Sequence, residues 1–114
     1  MVRIAVALDI AAVLLFVGIG RAVHTDVASI VGFASTAWPF VFGLALGWLA
    51  LVVSKLSVTA LVSGLVVVGA TVAFGMTFRV LSGQGTAVAF VLVALGFLGA
   101  EMLGWRVLLM ALRR

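Results

Sequence analysis

The chain has 114 residues, of which 67% are hydrophobic and 9% charged, whereas a soluble domain is about half apolar and about a quarter charged. That composition excludes a conventional polar surface, and the length excludes a second domain. The absence of cysteine excludes disulfides and thiolate chemistry, and the one histidine, His24, leaves no His-rich metal site or bis-histidine haem within a single chain.

The apolar runs predict four membrane spans and hence an all-α fold: an integral membrane four-helix bundle with short loops. The first span is read over 4–20, with Arg3 before it and Arg21 after it. Asp9 interrupts its apolar character, which argues for a retained helix rather than a signal peptide. The residues 21–26 read as a polar turn, with Thr25 or Asp26 as a helix cap. The segment 27–33 is apolar but short and reads as an interfacial stretch. Pro39 suits the first turn of a helix, so the second span is expected over 37–53, capped by Ser35 or Thr36. The rival reading is one helix from Val27 kinked at Pro39. Ser54-Lys55 is a very short connection to the third span, 56–78, which Arg79 ends. Ser82-Gly83-Gln84-Gly85-Thr86 forms a turn, and the fourth span covers 86–112.

An even number of spans puts both termini on one side. That side holds Arg3, Lys55, Arg106, Arg113 and Arg114, and the other holds Arg21 and Arg79. The bias favours both termini in the cytoplasm of a cell whose inner membrane holds the protein. A reporter fused after Arg114 is expected to be active only in the cytoplasm, and periplasmic activity of that fusion rejects the assignment. The net charge of +4 arises from scattered basic residues, which suits loops and lipid headgroups rather than nucleic acid.

A charge at mid-membrane costs about 2.5–3.5 kcal/mol on insertion scales, so such residues face protein or water. Asp9 and Arg106 each lie about 9 Å inside the hydrocarbon when counted along their helices. Equal depth and opposite sign predict an ion pair between the first and fourth spans, either a packing device or a gate. Glu101 lies about 16 Å deep, near the midplane. Arg106 is about 140° away around the same helix and is a poor partner. Glu101 therefore is protonated, bonded to a Ser or Thr of another span, or exposed to a cavity. It is the candidate proton or cation site, set against a structural hydrogen-bond donor and against pairing across a subunit interface.

The turn after the third span is a second candidate. Arg79, Ser82, Gly83, Gln84, Gly85 and Thr86 combine a guanidinium, hydrogen-bonding side chains and the start of a helix, which suits a phosphate, carboxylate or lipid headgroup. The plainer reading is a turn and an N-cap, with Arg79 snorkelling to the headgroups. Gly43 and Gly47 form a GxxxG motif for close helix packing, within the bundle or across a dimer seam.

Thr36-Ala37-Trp38-Pro39-Phe40, Gly43, Gly47-Trp48, Arg79 with Ser82-Gly83-Gln84-Gly85-Thr86-Ala87, and Leu103-Gly104-Trp105-Arg106 together resemble a bacterial and archaeal family of small four-span membrane proteins of unknown function. The resemblance covers nearly the whole chain. It implies a helical membrane fold and carries over no catalytic residue. In size alone the chain is also similar to small multidrug transporters and fluoride channels, but their patterns are missing.

An enzyme is not expected, because the chain has no nucleophile–base pair and no metal-ligand cluster. No metal or other cofactor is expected. Three readings remain. The first is a small oligomeric channel or proton-linked transporter, in which Glu101 with Thr71 or Ser63 lines a wet cavity. The second is an accessory subunit of a larger membrane complex, with dry paired charges. The third is a lipid-headgroup-binding protein that uses the Arg79 turn. All three place the lipid bilayer as the first partner.

Overall fold

Four helices carry the apolar runs: α1 (Val2–Val23), α2 (Ile30–Ser54), α3 (Leu61–Leu81) and α4 (Val88–Leu112). The computed structural model describes residues 1–23 and 30–113. All four helices are long and apolar enough to cross a bilayer. In hydrocarbon a helix satisfies its own backbone groups, which is why apolar runs of this length take this form. The chain is therefore a multi-pass, all-α membrane protein. The expected positions of His24, the Thr25 or Asp26 cap, residues 27–29 and Arg114 lie outside the described residues.

α1 continues through Arg21, so residues 21–23 are helical rather than part of a turn. α2 begins at Ile30, not near Ala37. Residues 30–33 therefore belong to the second span and not to an interfacial segment, and Ser35 and Thr36 lie in the helix rather than capping it. Pro39 sits inside α2 and is fully buried. A proline within a helix leaves the carbonyl four residues earlier without its donor. That carbonyl belongs to Ser35, and Gln84 Nε2 donates to it at 3.2 Å. The turn between α3 and α4 thus supplies the bond that Pro39 lacks, and the long helix persists.

The connection between α2 and α3 is longer than Ser54-Lys55. It covers 55–60, and the third span starts at Leu61 instead of Leu56. Lys55 takes a positive φ of 57° at the end of α2. Ser63 donates to the Ser57 carbonyl, and Ala60 N–H donates to the same residue at 3.1 Å. At its other end α3 runs past Arg79 to Leu81. α4 begins at Val88, two residues later than the sequence suggests.

The closest helix contact is α2 on α3. A Cβ built on Gly43 would lie 2.8 Å from the Thr71 carbonyl oxygen and 3.0 Å from that of Ala70. One on Gly47 would lie 3.1 Å from Ala70 Cβ. The GxxxG pair thus faces α3 inside the bundle, where only hydrogen atoms fit. The centre is aromatic. Phe16 of α1 meets Phe40 of α2 edge-on at 5.4 Å, and Phe90 and Phe97 of α4 at 5.8 and 5.7 Å.

Candidate functional site

Two polar regions lie at opposite ends of the bundle. The first joins the start of α1 to the end of α4. Asp9 and Arg106 are both fully buried, with Arg106 Nη2 2.9 Å from Asp9 Oδ2 and Nη1 donating to Oδ1 at 3.1 Å. Two indoles complete the carboxylate's shell: Trp48 Nε1 donates to Oδ2 at 3.1 Å and Trp105 Nε1 to Oδ1 at 2.9 Å. Each oxygen accepts two bonds. Arg106 directs two further donors to backbone, with Nη1 to the Met102 carbonyl at 2.9 Å and Nε to the Val58 carbonyl at 3.0 Å. Its guanidinium also lies 4.2 Å from the Trp105 ring.

Local sequence explains why this cluster fits. Val58 offers its carbonyl because residues 55–60 are not helical. Gly64 leaves room for the arginine stem, since a Cβ there would lie 3.0 Å from Arg106 Cδ. A buried ion pair repays its desolvation only when additional hydrogen bonds satisfy its donors and acceptors, and here four of the five guanidinium N–H groups and both carboxylate oxygens are bonded. The cluster closes the α1–α4 seam at the end that holds both Met1 and Arg113. Trp48, Trp105 and Val58 are the partners that sequence reasoning missed. The two tryptophans carry a signal in hindsight, because an indole N–H in an apolar span needs an acceptor.

The second region lies where α1 and α3 end. A cavity of about 570 Å³ opens there between α1, α2 and α4. Its polar lining is Arg21, Thr36, Arg79 and Gln84, and its apolar wall includes Phe16, Val17, Phe90 and Val93. Arg21 and Arg79 stand in the last turns of α1 and α3, where helix-end carbonyls favour positive charge. Arg21 Nη1 donates to Thr36 Oγ1 at 3.0 Å, and Thr36 donates to the Gly32 carbonyl at 3.0 Å.

Arg79 is held from three directions. Nε donates to the Gly85 carbonyl at 2.9 Å, Nη1 donates to Gln84 Oε1 at 3.0 Å, and the guanidinium lies 4.6 Å from the Phe90 ring centre. Gln84 is fixed in turn by Ser35 and by Ser82 Oγ, the latter at 3.0 Å. Nη2 of Arg79 makes no hydrogen bond within the described residues.

The turn itself differs from the expected anion nest. The N–H groups of Ser82, Gly83 and Gln84 donate to the carbonyls of Phe78, Val80 and Arg79, so they are spent within the protein. Gly83 takes a φ of 82°, which closes the turn. No side chain caps α4, whose N-cap is Ala87, so Thr86 has no capping role. Of the six expected turn residues, Arg79 and Gln84 line the cavity and the other four do not. Arg21 and Thr36 join them, because α2 starts early enough to carry Thr36 alongside Arg21.

Glu101 belongs to neither region. It is half-buried on α4, its Oε2 is buried with no hydrogen-bond partner among the described residues, and it does not line the cavity. Thr71 and Ser63 are fully buried and bonded to backbone carbonyls of Val67 and Ser57. These three residues do not converge on one site. Because no donor among the described residues addresses Glu101, Glu101→Gln is expected to leave stability within about 0.5 kcal/mol, measured by unfolding in mixed micelles. A loss of about 2 kcal/mol or more would reveal a charge-dependent partner. Loss of pH-dependent flux in liposomes with stability intact would assign it the proton-carrying role.

No curated protein and no solved structure matches the chain. The family model described as a protein of unknown function (DUF3054) matches residues 6–109, nearly the whole chain. The chain, with its four apolar helices, therefore belongs to this family of proteins of unknown function.

Proposed function

We propose that the protein binds the anionic group of an organic molecule in the cleft between α1, α2 and α4. One observation carries this reading: Arg79 is held by Gly85, Gln84 and Phe90, while its Nη2 makes no hydrogen bond within the described residues and stands at an open cavity. A guanidinium already fixed loses little freedom when an anion arrives, and such pre-organisation favours binding. The cavity falls within the range of about 300–1,000 Å³ typical of small-molecule sites. The basic-residue bias assigns this end to the outer face.

Conduction through the bundle finds less support. A polar route along the α1–α4 seam would have to pass Phe16 and Phe97 and then the Asp9–Arg106 cluster, and Glu101 lies outside the cleft. The dry, multiply bonded ion pair fits either a binding protein or an accessory subunit, but the cleft favours binding.

The test uses purified protein and two single-chain amphiphiles below their micellar concentrations. Decyl phosphate is expected to raise the melting temperature of the wild type, and decyl maltoside to leave it nearly unchanged. A charge-assisted hydrogen bond contributes about 1.5–3 kcal/mol, so Arg79→Gln is expected to weaken the decyl phosphate response about tenfold or more in apparent affinity. An equal response in wild type and Arg79→Gln removes the cleft from the reading.

A further inference from the structure

Taking the anion site at Arg79 as given, we infer that its ligand is an anionic glycerophospholipid drawn sideways from the surrounding leaflet. The phosphate sits on Arg79, and the upper part of one acyl chain lies along α1 and α4.

Three features converge on that ligand. The first is the division of the cleft. Arg21, Thr36, Arg79 and Gln84 occupy one part, and Phe16, Val17, Phe90 and Val93 supply an apolar wall. On α4 the wall runs from Ala89 to Val93, about 6 Å along the axis at the helical rise. A wholly polar anion would leave this surface in contact with nothing, whereas an alkyl chain covers it at about 25 cal/mol per Å² buried. The second is where the cleft opens. Ala89 and Val93 line it and are exposed. Exposed apolar side chains of a membrane-crossing helix meet lipid, so an opening bordered by these two residues gives onto the leaflet.

The third feature is closure below. Phe16 stands 5.7 Å from Phe97 across the α1–α4 seam, and Trp105 and Arg106 bind Asp9 further along it. A chain entering the cleft cannot run down the seam and must leave sideways into lipid. A headgroup at the interface with its chain in the leaflet has this shape. Arg79 stands two residues before the end of α3, at the level where guanidinium groups meet lipid phosphates. Gln84, whose two N–H donors go to Ser35 and Ser82, holds Arg79 in place beside it.

The experiment is protection of Arg79 from phenylglyoxal, followed by mass spectrometry of the peptide that contains it. The protein is reconstituted in phosphatidylcholine vesicles, in vesicles that also contain phosphatidylglycerol, and in phosphatidylcholine vesicles with glycerol phosphate added in solution. Phosphatidylglycerol is expected to slow modification of Arg79 about tenfold, with phosphatidylcholine alone giving none of that protection. Glycerol phosphate, a monoester with at least the same negative charge but no chain, is expected to protect far less. Val93→Trp fills the apolar wall from an exposed position and is expected to abolish the phosphatidylglycerol protection, and Ala89→Leu to reduce it. If glycerol phosphate protects as well as the lipid, or if neither substitution changes lipid protection, the lipid assignment falls. Either result combined with an intact decyl phosphate response leaves the anion site standing. Loss of the decyl phosphate response removes the site itself.

Discussion

Asp9→Ala is expected to lower the stability of the folded bundle by about 3–5 kcal/mol, because it strands a buried guanidinium that keeps its desolvation cost and loses its counter-charge. Both partners are fully buried, so no water replaces the carboxylate. Two tryptophan N–H groups lose their acceptor in the same step. Arg106→Met is expected to cost a similar amount by stranding the carboxylate. The double change Asp9→Leu with Arg106→Met removes both charges and is expected to recover much of the loss, because an apolar pair of similar volume needs no compensation. Trp105→Phe removes one bond to a charged acceptor, and about 1.5–3 kcal/mol is expected from it. The measurement is reversible unfolding in bicelles or mixed micelles. A single Asp9→Ala variant within about 1 kcal/mol of wild type would mean that the carboxylate is not desolvated.

Gly43→Ala is expected to destabilise by about 1–3 kcal/mol, the usual cost of overpacking. Its new Cβ would meet the Thr71 and Ala70 carbonyl oxygens at 2.8 and 3.0 Å and Thr71 Cα at 3.1 Å. All three are backbone atoms, so no side chain can rotate aside and α2 and α3 must part. Gly69→Ala is the control. No heavy atom lies within 4 Å of a Cβ there, and the better helix propensity of alanine makes that change neutral or stabilising by up to about 1 kcal/mol. The contrast separates packing from propensity. If Gly43→Ala unfolds with the same free energy as Gly69→Ala, the tight α2–α3 contact is not what holds these helices together.

Composition and hydropathy alone determine that this is a four-helix membrane protein. Each apolar run must close its own backbone hydrogen bonds in hydrocarbon, and only a helix does so within one segment. Depth along a helix is also a linear quantity, set by about 1.5 Å per residue. Asp9 and Arg106 can therefore be matched by counting, and the structure places them 2.9 Å apart. Tertiary structure decided what depends on residues distant in the chain. Pro39 reads locally as a helix start, with one long helix running through it as the rival reading. It lies mid-helix because the freed Ser35 carbonyl meets Gln84, 49 residues on. The third span begins late because residues 55–60 form the loop that presents the Val58 carbonyl to Arg106, 48 residues away. The cleft forms because α2 starts early enough to bring Thr36 beside Arg21, and the Arg79 turn packs against the same helix. Local rules weigh each residue against its neighbours in sequence. A missing donor, an offered carbonyl or a shared cavity wall is balanced by a group on another helix, and its position follows only from the packing.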